Sequence, residues 1–263
     1  MTDYASEISV IVSSCDRFFD AWQPFAVFFA KFWPDCPFSV YLIGNELRVE
    51  SKRIRYISVG PDRGWAGNMQ QALSQIATRY LLYFQEDYFL TAPVDRAQLA
   101  SDISYAFEQE LASFSFCDLS LLESDFGRTT TPFATVPESS RGRTRLQVTL
   151  WNREAFASLL RAGETAWDME ARGSERTKGM PIVSYTGQTP APFSYLMSAI
   201  VRGLWTQEAL ALCRQYDVQI RPAFRSVDPG TPRARRWRRA VDTVRYSVAK
   251  ALQARRAIEL DVL

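Results

Sequence analysis

The chain runs to 263 residues, is 47% hydrophobic and carries a net charge of +2, which suits one large α/β domain or a domain with an appendage. It contains no histidine, so Ser-His-Asp and Cys-His catalysis, a histidine base and most zinc sites are excluded. Acid–base or metal chemistry falls to Asp and Glu, which favour hard cations such as Mg²⁺ or Mn²⁺. The four cysteines, Cys15, Cys36, Cys117 and Cys213, are scattered without a CxxC pair and read as reduced thiols. No apolar run reaches the roughly 18 residues of a spanning helix. The polar start Met1-Thr2-Asp3-Tyr4-Ala5-Ser6-Glu7 lacks the features of a signal peptide, so the expected location is the cytoplasm.

In chain order, Ile8 to Ser13 is β-branched and apolar and predicts a buried first strand, ending in the polar turn Ser13-Ser14-Cys15-Asp16. An aromatic-rich helix is expected from Asp16 to Phe32, stopped by Trp33-Pro34. Strands follow at 38–43 and 54–59. Trp65, Met69, Leu73 and Ile76 recur at helical spacing. Tyr80 to Phe84 predicts the next strand, running into Gln85-Glu86-Asp87. Asp95 and Gln98 suggest a capping box for a helix through Leu111. Beyond it come strands at 113–117 and 146–150, a helix at 153–160, and a short helix capped by Thr206, with a last strand at 218–220. The polar stretches 123–143 and 162–179 read as irregular loops. The alternation predicts a mostly parallel sheet with helices on both faces, whose ligand sits beyond the carboxyl ends of the strands.

Two acidic features fall at such strand ends. Asp16 follows the first strand, and Glu86 with Asp87 follows the strand at 80–84. Adjacent carboxylates there can hold a divalent cation and, through it, a diphosphate; a solvated strand-end turn is the competing reading. Asp168 and Glu170 flank Met169 beside Trp167. A carboxyl against an aromatic surface has a raised pKa and can serve as a general base; salt bridges to Arg172 or Arg176 are the alternative. Trp65 offers either a stacking face or core packing. No GxxxxGK or GxGxxG occurs. From residue 229 onward nine Lys/Arg stand against three acids. That tail therefore carries +6 of a +2 total, which leaves −4 on residues 1–228. Between 233 and 256, Trp237, Val241, Val244, Val248 and Leu252 share one helical stripe amid arginines. Such a helix suits an anionic membrane, or else packs on its own domain. The acidic body argues against nucleic acid. The boundary expected is a body at 1–228 and a basic helical tail at 229–263.

Taken together, Val10-Ile11-Val12-Ser13-Ser14-Cys15-Asp16-Arg17, Trp65-Ala66-Gly67-Asn68-Met69, Tyr80 to Leu90, Leu150-Trp151-Asn152-Arg153 and Trp167-Asp168-Met169-Glu170 resemble bacterial glycosyltransferases of the GT-A fold, of the kind used in cell-surface polysaccharide and lipopolysaccharide synthesis. The resemblance covers residues 8 to about 215. It implies a GT-A-like, Rossmann-related sheet and a nucleotide-sugar donor held by Ser13, Ser14, Asp16, Trp65, Asn68, Glu86 and Asp87. It also implies a saccharide or lipid-linked acceptor and a late acidic base, Glu170 with Asp168 second. The family's Asp-x-Asp metal motif stands here as Gln85-Glu86-Asp87, so Asp87 and Glu86 are the implied ligands for Mg²⁺ or Mn²⁺, with an amide in place of the first acid. The rival readings are a nucleotidyltransferase of related fold, whose Gly-rich basic loop is missing after the first strand, and a non-catalytic membrane adaptor.

Overall fold

The computed structural model describes residues 4–118, 130–220, 224–253 and 256–261. In chain order its elements are β1 (Ile8–Ser13), α1 (Phe19–Phe32), β2 (Ser39–Gly44), β3 (Val49–Glu50), β4 (Ile54–Ser58), α2 (Gly64–Leu73), β5 (Tyr80–Gln85), β6 (Phe89–Leu90), α3 (Arg96–Glu108), β7 (Ser113–Ser115), β8 (Phe133–Thr135), β9 (Thr149–Asn152), α4 (Arg153–Leu159), α5 (Ala166–Arg172), β10 (Ile182–Tyr185), β11 (Tyr195–Leu196), β12 (Ile200–Val201), β13 (Leu204–Trp205), α6 (Gln207–Gln215), α7 (Pro232–Gln253) and β14 (Ile258–Glu259). Eight strands form one sheet in the order β4-β2-β1-β5-β9-β7-β10-β8. β9 runs antiparallel to both its neighbours and β8 antiparallel to β10; the other pairs are parallel.

All six residues of β1 are buried, as a strand covered on both faces requires. Its side chains alternate between two cores. Val10 and Val12 join Leu82 and Phe84 under α1 and α3. Ile11 joins Leu81 and Tyr83 under α2, α4 and α5. This is the α/β architecture expected: a large, mostly parallel sheet flanked by helices, with a helix near the C-terminus.

The sequence reading differs from the structure in particular places. Residues 162–179 are not irregular, because Thr165 opens α5 with a full capping box closed by Asp168. The earlier box is only half made: Asp95 accepts from the amides of Ala97 and Gln98, but the Gln98 side chain turns forward to Asp102. Residues 218–220 form no strand, since the Val218 amide is spent closing the end of α6 on the Cys213 carbonyl. β10, which sits inside the sheet, carries four buried residues with no polar alternation to announce it. Part of the 123–143 loop lies outside the described residues, and β8 occupies its later half.

The tail helix α7 is stitched to the body. Asp242 accepts from the Ser226 amide and hydroxyl, both at 2.8 Å. Lys250 reaches Glu46 at 2.9 Å and Asp16 at 3.3 Å, and β14 pairs with β3. Replacing Asp242 by Ala leaves two buried donors without an acceptor. The expected loss is about 1–3 kcal/mol in urea unfolding, with faster tryptic cleavage at the arginines of α7; unchanged cleavage and stability would remove Asp242 as the latch.

Candidate active site

The carboxyl ends of β1 and β5 lie side by side, with Ser13 opposite Gln85 in the parallel register. Because β9 is antiparallel, the segment entering it, around Leu146, reaches the same rim. On that rim Glu86 and Asp87 are both buried. Asp87 Oδ2 accepts from the Ile200 amide at 3.1 Å, and the Asp87 carbonyl accepts from the Ala199 amide at 2.9 Å. Burial raises the Asp87 pKa to about 7, against the pull of the Ile200 amide. Burial first, and then the Asp87 charge, push Glu86 well above the ordinary carboxyl range. The neighbouring Cys15 thiol is pushed up to about 12 by burial and by Glu86. Near neutral pH this corner of the sheet therefore holds protons.

Glu170 belongs to the same rim. Its Oε1 accepts from the Leu146 amide at 2.8 Å, while Tyr88 donates to the Leu146 carbonyl at 2.8 Å. Tyr88 feels the charges of both Asp87 and Glu170, and Tyr195 stacks on it at a tilt, 5.4 Å between centroids. Asp168 does not share this place. Its Oδ2 closes the capping box on Thr165, Arg172 lies 3.5 Å away, and the hydrogen bonds of Thr165 lower its pKa rather than raise it. The aromatic neighbour assumed to raise it, Trp167, is 80% exposed. The salt-bridge reading holds for Asp168, whereas Arg176 takes Glu164 and leaves Glu170 alone.

The other expected donor residues divide. Trp65 donates to Ser13 at 3.1 Å and to Tyr83 at 3.4 Å while packing on Phe156, so it stands between core and rim. Ser14 accepts from Trp22 at 2.7 Å. Asp16 is largely consumed: its carboxylate takes the amides of Asn45, Glu46 and Leu47 at 2.8, 3.0 and 3.2 Å and faces Lys250. Asn68 is likewise occupied, accepting from the Arg63 amide and donating to Asp62, which shapes the 60–64 loop. Gly60 and Gly64 both have positive φ in that loop.

Several participants carried no signal in the linear sequence. Arg225 lies buried against Asp20 in a two-pronged ion pair, Nη2 to Oδ1 and Nε to Oδ2 both at 2.9 Å. It also reaches the carbonyls of Arg17 and Gly203, and its charge is felt by both Glu86 and Asp87. The amide of Ile200 and the side chain of Asp62 complete the corner.

No protein-family model matches the chain, and no curated protein sequence matches it. Solved structures of similar chain path include the mannosyltransferase PcManGT of Pyrobaculum calidifontis in complex with GDP-Man and Mn²⁺. That match has 15% identity over 93% of this chain and 75% of that one, at a TM-score of 0.48. The S. aureus TarS 1-349 structure shares 10% identity over 93% of this chain and 73% of that one, at 0.47. A CMP:2-keto-3-deoxy-manno-octonic acid synthetase complexed with CTP shares 8% over 81% and 99%, at 0.45. The chain spans 64% of a similar mycobacterial protein and 43% of the longer TarS chain. At these identities the likeness is one of chain path alone.

Among the described residues no cation site is preassembled. Among the described residues no three carboxylate or thiol groups converge, and the two adjacent carboxyls, Glu86 and Asp87, are desolvated and bind protons near neutrality. The Mg²⁺ or Mn²⁺ site expected on them is not preassembled.

Burying Asp87 has a cost that grows with pH. Its folded pKa stands above its unfolded one, so its contribution is whole below about pH 4 and is lost as pH rises through 7. Asp87→Asn keeps an acceptor for the Ile200 amide and cannot ionise. It is expected to match the wild type at pH 4 and to exceed it by about 2–4 kcal/mol in urea unfolding at pH 8. A difference that does not change with pH would mean that Asp87 is ionised throughout.

Proposed function

We propose that the chain transfers a sugar from a nucleotide-diphosphate donor to an acceptor hydroxyl, at the rim that carries Glu86, Asp87 and Glu170. The observation that carries this reading is the pairing of two unlike carboxyl environments at the carboxyl end of one sheet. One is buried and proton-holding. The other is fixed by a single amide on a helix at the site's edge. Paired groups whose surroundings differ in this way are how acid and base roles are separated.

In this reading the donor lies across the ends of β1 and β5, over Ser13, Ser14 and Trp65. The Leu146 amide aims Glu170 toward the acceptor. The acceptor oxygen attacks the anomeric carbon as Glu170 takes its proton. The bond from that carbon to the diphosphate oxygen breaks, and the electron pair leaves with the diphosphate. Glu86 and Asp87, holding protons, face this anion without repelling it and can donate to its oxygens. Gln85 in place of an acid works in the same direction, since it adds no negative charge. A Mg²⁺ or Mn²⁺ ion would have to arrive with the diphosphate, and Asp87 and Glu86 are the carboxylates it would find. A saccharide or lipid-linked acceptor in surface polysaccharide synthesis is the class favoured by the next feature.

No helix among the described residues is long and apolar enough to cross a membrane. The outward face of α7, however, leaves Trp237, Val244, Val248 and Leu252 at 67, 66, 57 and 64% exposure, with Arg233 and Arg236 at its N-terminal end. Apolar side chains left in water beside basic ones suit the surface of an anionic bilayer. The opposite face, with Asp242 and Ala249, is buried against the body.

Two measurements test these readings. Calorimetric titration with a panel of nucleotide sugars should find one that binds and is slowly hydrolysed. Glu170→Gln should then lower kcat by about 10²–10⁴-fold with KM for the donor little changed, while Asp168→Asn affects stability alone. An undiminished kcat in Glu170→Gln would end the base assignment, and a panel without a binder would favour the adaptor. Second, the protein should cosediment with phosphatidylserine-rich vesicles and not with phosphatidylcholine ones. Trp237→Ser with Val244→Ser should weaken that binding about tenfold or more; unchanged sedimentation would return the stripe to water.

A further inference from the structure

Beside the acidic pair, a cavity of about 340 Å³ opens between the start of α1, the β12–β13 turn and the inner side of α7, lined among others by Arg17, Phe18, Arg202, Arg225, Arg239 and Tyr246. Four guanidiniums thus face one space. The acids that line it, Asp20 and Asp242, are already engaged. Asp20 is held by Arg225, and Asp242 by Ser226 and Arg245. Arg17, Arg202 and Arg239 are exposed, and among the described residues none of them forms an ion pair with an acid. Asp228 senses the Arg202 charge, but Arg235 already holds it at 2.7 Å. A concave site with a net excess of two positive charges is built for an anion.

The backbone adds an independent observation. Arg202 and Gly203 are the central pair of the two-residue turn joining β12 to β13, and both have positive φ, 53° and 79°. Such turns favour Asn-Gly. A long side chain at the first position accepts a conformation that L-residues avoid, at about 1 kcal/mol. The same hairpin begins at Ile200, whose amide holds Asp87. The strained residue therefore carries its guanidinium into the cavity from an element anchored on the acidic pair.

We propose that this cavity binds a diphosphate group, gripped by Arg17, Arg202 and Arg239 over the Asp20–Arg225 floor. Arginine suits the role because its planar fork meets two phosphate oxygens at once. Two ligands carry the group: the nucleoside diphosphate of the donor, and the headgroup of a lipid-linked acceptor brought in along α7, which supplies both Arg239 and the exposed apolar stripe. The cavity's affinity for the group stands by itself; its part in sugar transfer rests on the function proposed above.

The test uses inorganic pyrophosphate, a set of nucleoside diphosphates and a short prenyl diphosphate, titrated calorimetrically into the whole protein. Pyrophosphate should bind, and its affinity should fall with salt. Arg202→Asn and Arg239→Ala should each weaken it about tenfold, and the double variant should abolish it. Arg202→Asn should at the same time keep or raise the melting temperature, because Asn suits the turn; that separates lost binding from lost folding. Competition by a nucleoside diphosphate identifies the donor as the source, and competition by the prenyl diphosphate alone identifies the acceptor. Absent pyrophosphate binding, or binding unchanged in the double variant, overturns the proposal even if nucleotide sugars bind elsewhere. Pyrophosphate binding lost in the double variant, with no nucleotide sugar bound, leaves the cavity standing and removes the transferase reading.

Discussion

The ion pair between Asp20 and Arg225 joins residues 205 positions apart, and the arrangement of the site follows from it. Asp20 is fixed near the start of α1, next to the end of β1, while Arg225 arrives with the segment that precedes α7. Their side chains are 2% and 8% exposed. A buried pair of this kind is costly to desolvate and gives little net stability by itself. Its geometry, two parallel bonds and two further bonds to backbone carbonyls, leaves the guanidinium one position to occupy. That position closes the C-terminal segment over the carboxyl end of the sheet and sets a positive charge within reach of Glu86 and Asp87.

The acidic corner is shaped by this arrangement. Two adjacent buried carboxyls without a cation would repel each other if both were ionised, and desolvation penalises even one charge. Arg225 lowers both pKa values, but it is shared with Asp20, and Asp87 still stands near 7. A proton settles what the arginine does not. The consequence is a corner close to neutral, beside a cavity that is distinctly positive. In the proposed reading, an incoming diphosphate would meet attraction on the arginine side and no repulsion on the carboxyl side. A third carboxylate at position 85 would upset that balance, which gives the amide of Gln85 a physical sense that a metal-centred motif does not.

Much of this was legible in the sequence because it is local. The buried strand Ile8–Ser13, the strand Tyr80–Gln85 and the polar turns that end them are written in consecutive residues. The same consecutive residues put the acidic pair directly after the carboxyl end of β5. The resemblance ranked Glu170 ahead of Asp168, but the residues themselves did not separate them, since both stand in the same acidic, Trp-flanked stretch. One turn of helix divides them: Asp168 at the third position closes the cap, and Glu170 points to Leu146. Asp16 looked like a ligand because it ends a strand. In the structure its carboxylate satisfies three amides of residues 45–47, a pairing across 29–31 positions that no spacing announces. Arg202 and Arg225 belong to the same class of hidden residues, placed by tertiary closure rather than by period.

The tail gains its meaning from having two faces. Viewed as a sequence, residues 233–256 offer an apolar stripe and a cluster of arginines, and either alone could be the reason for the helix. Docked on the body, α7 spends Asp242, Ala249 and Lys250 inward and keeps its largest apolar side chains outward. Arg239 falls between these faces and lines the cavity. A helix that merely packed would have no reason to leave a tryptophan in water, and a free membrane anchor would have no reason to bury an aspartate. A helix that rested on a bilayer and also walled the cavity, as proposed above, would use both faces. It would hold that pocket at a fixed height above the lipid headgroups, which is where a diphosphate carried on a lipid is found.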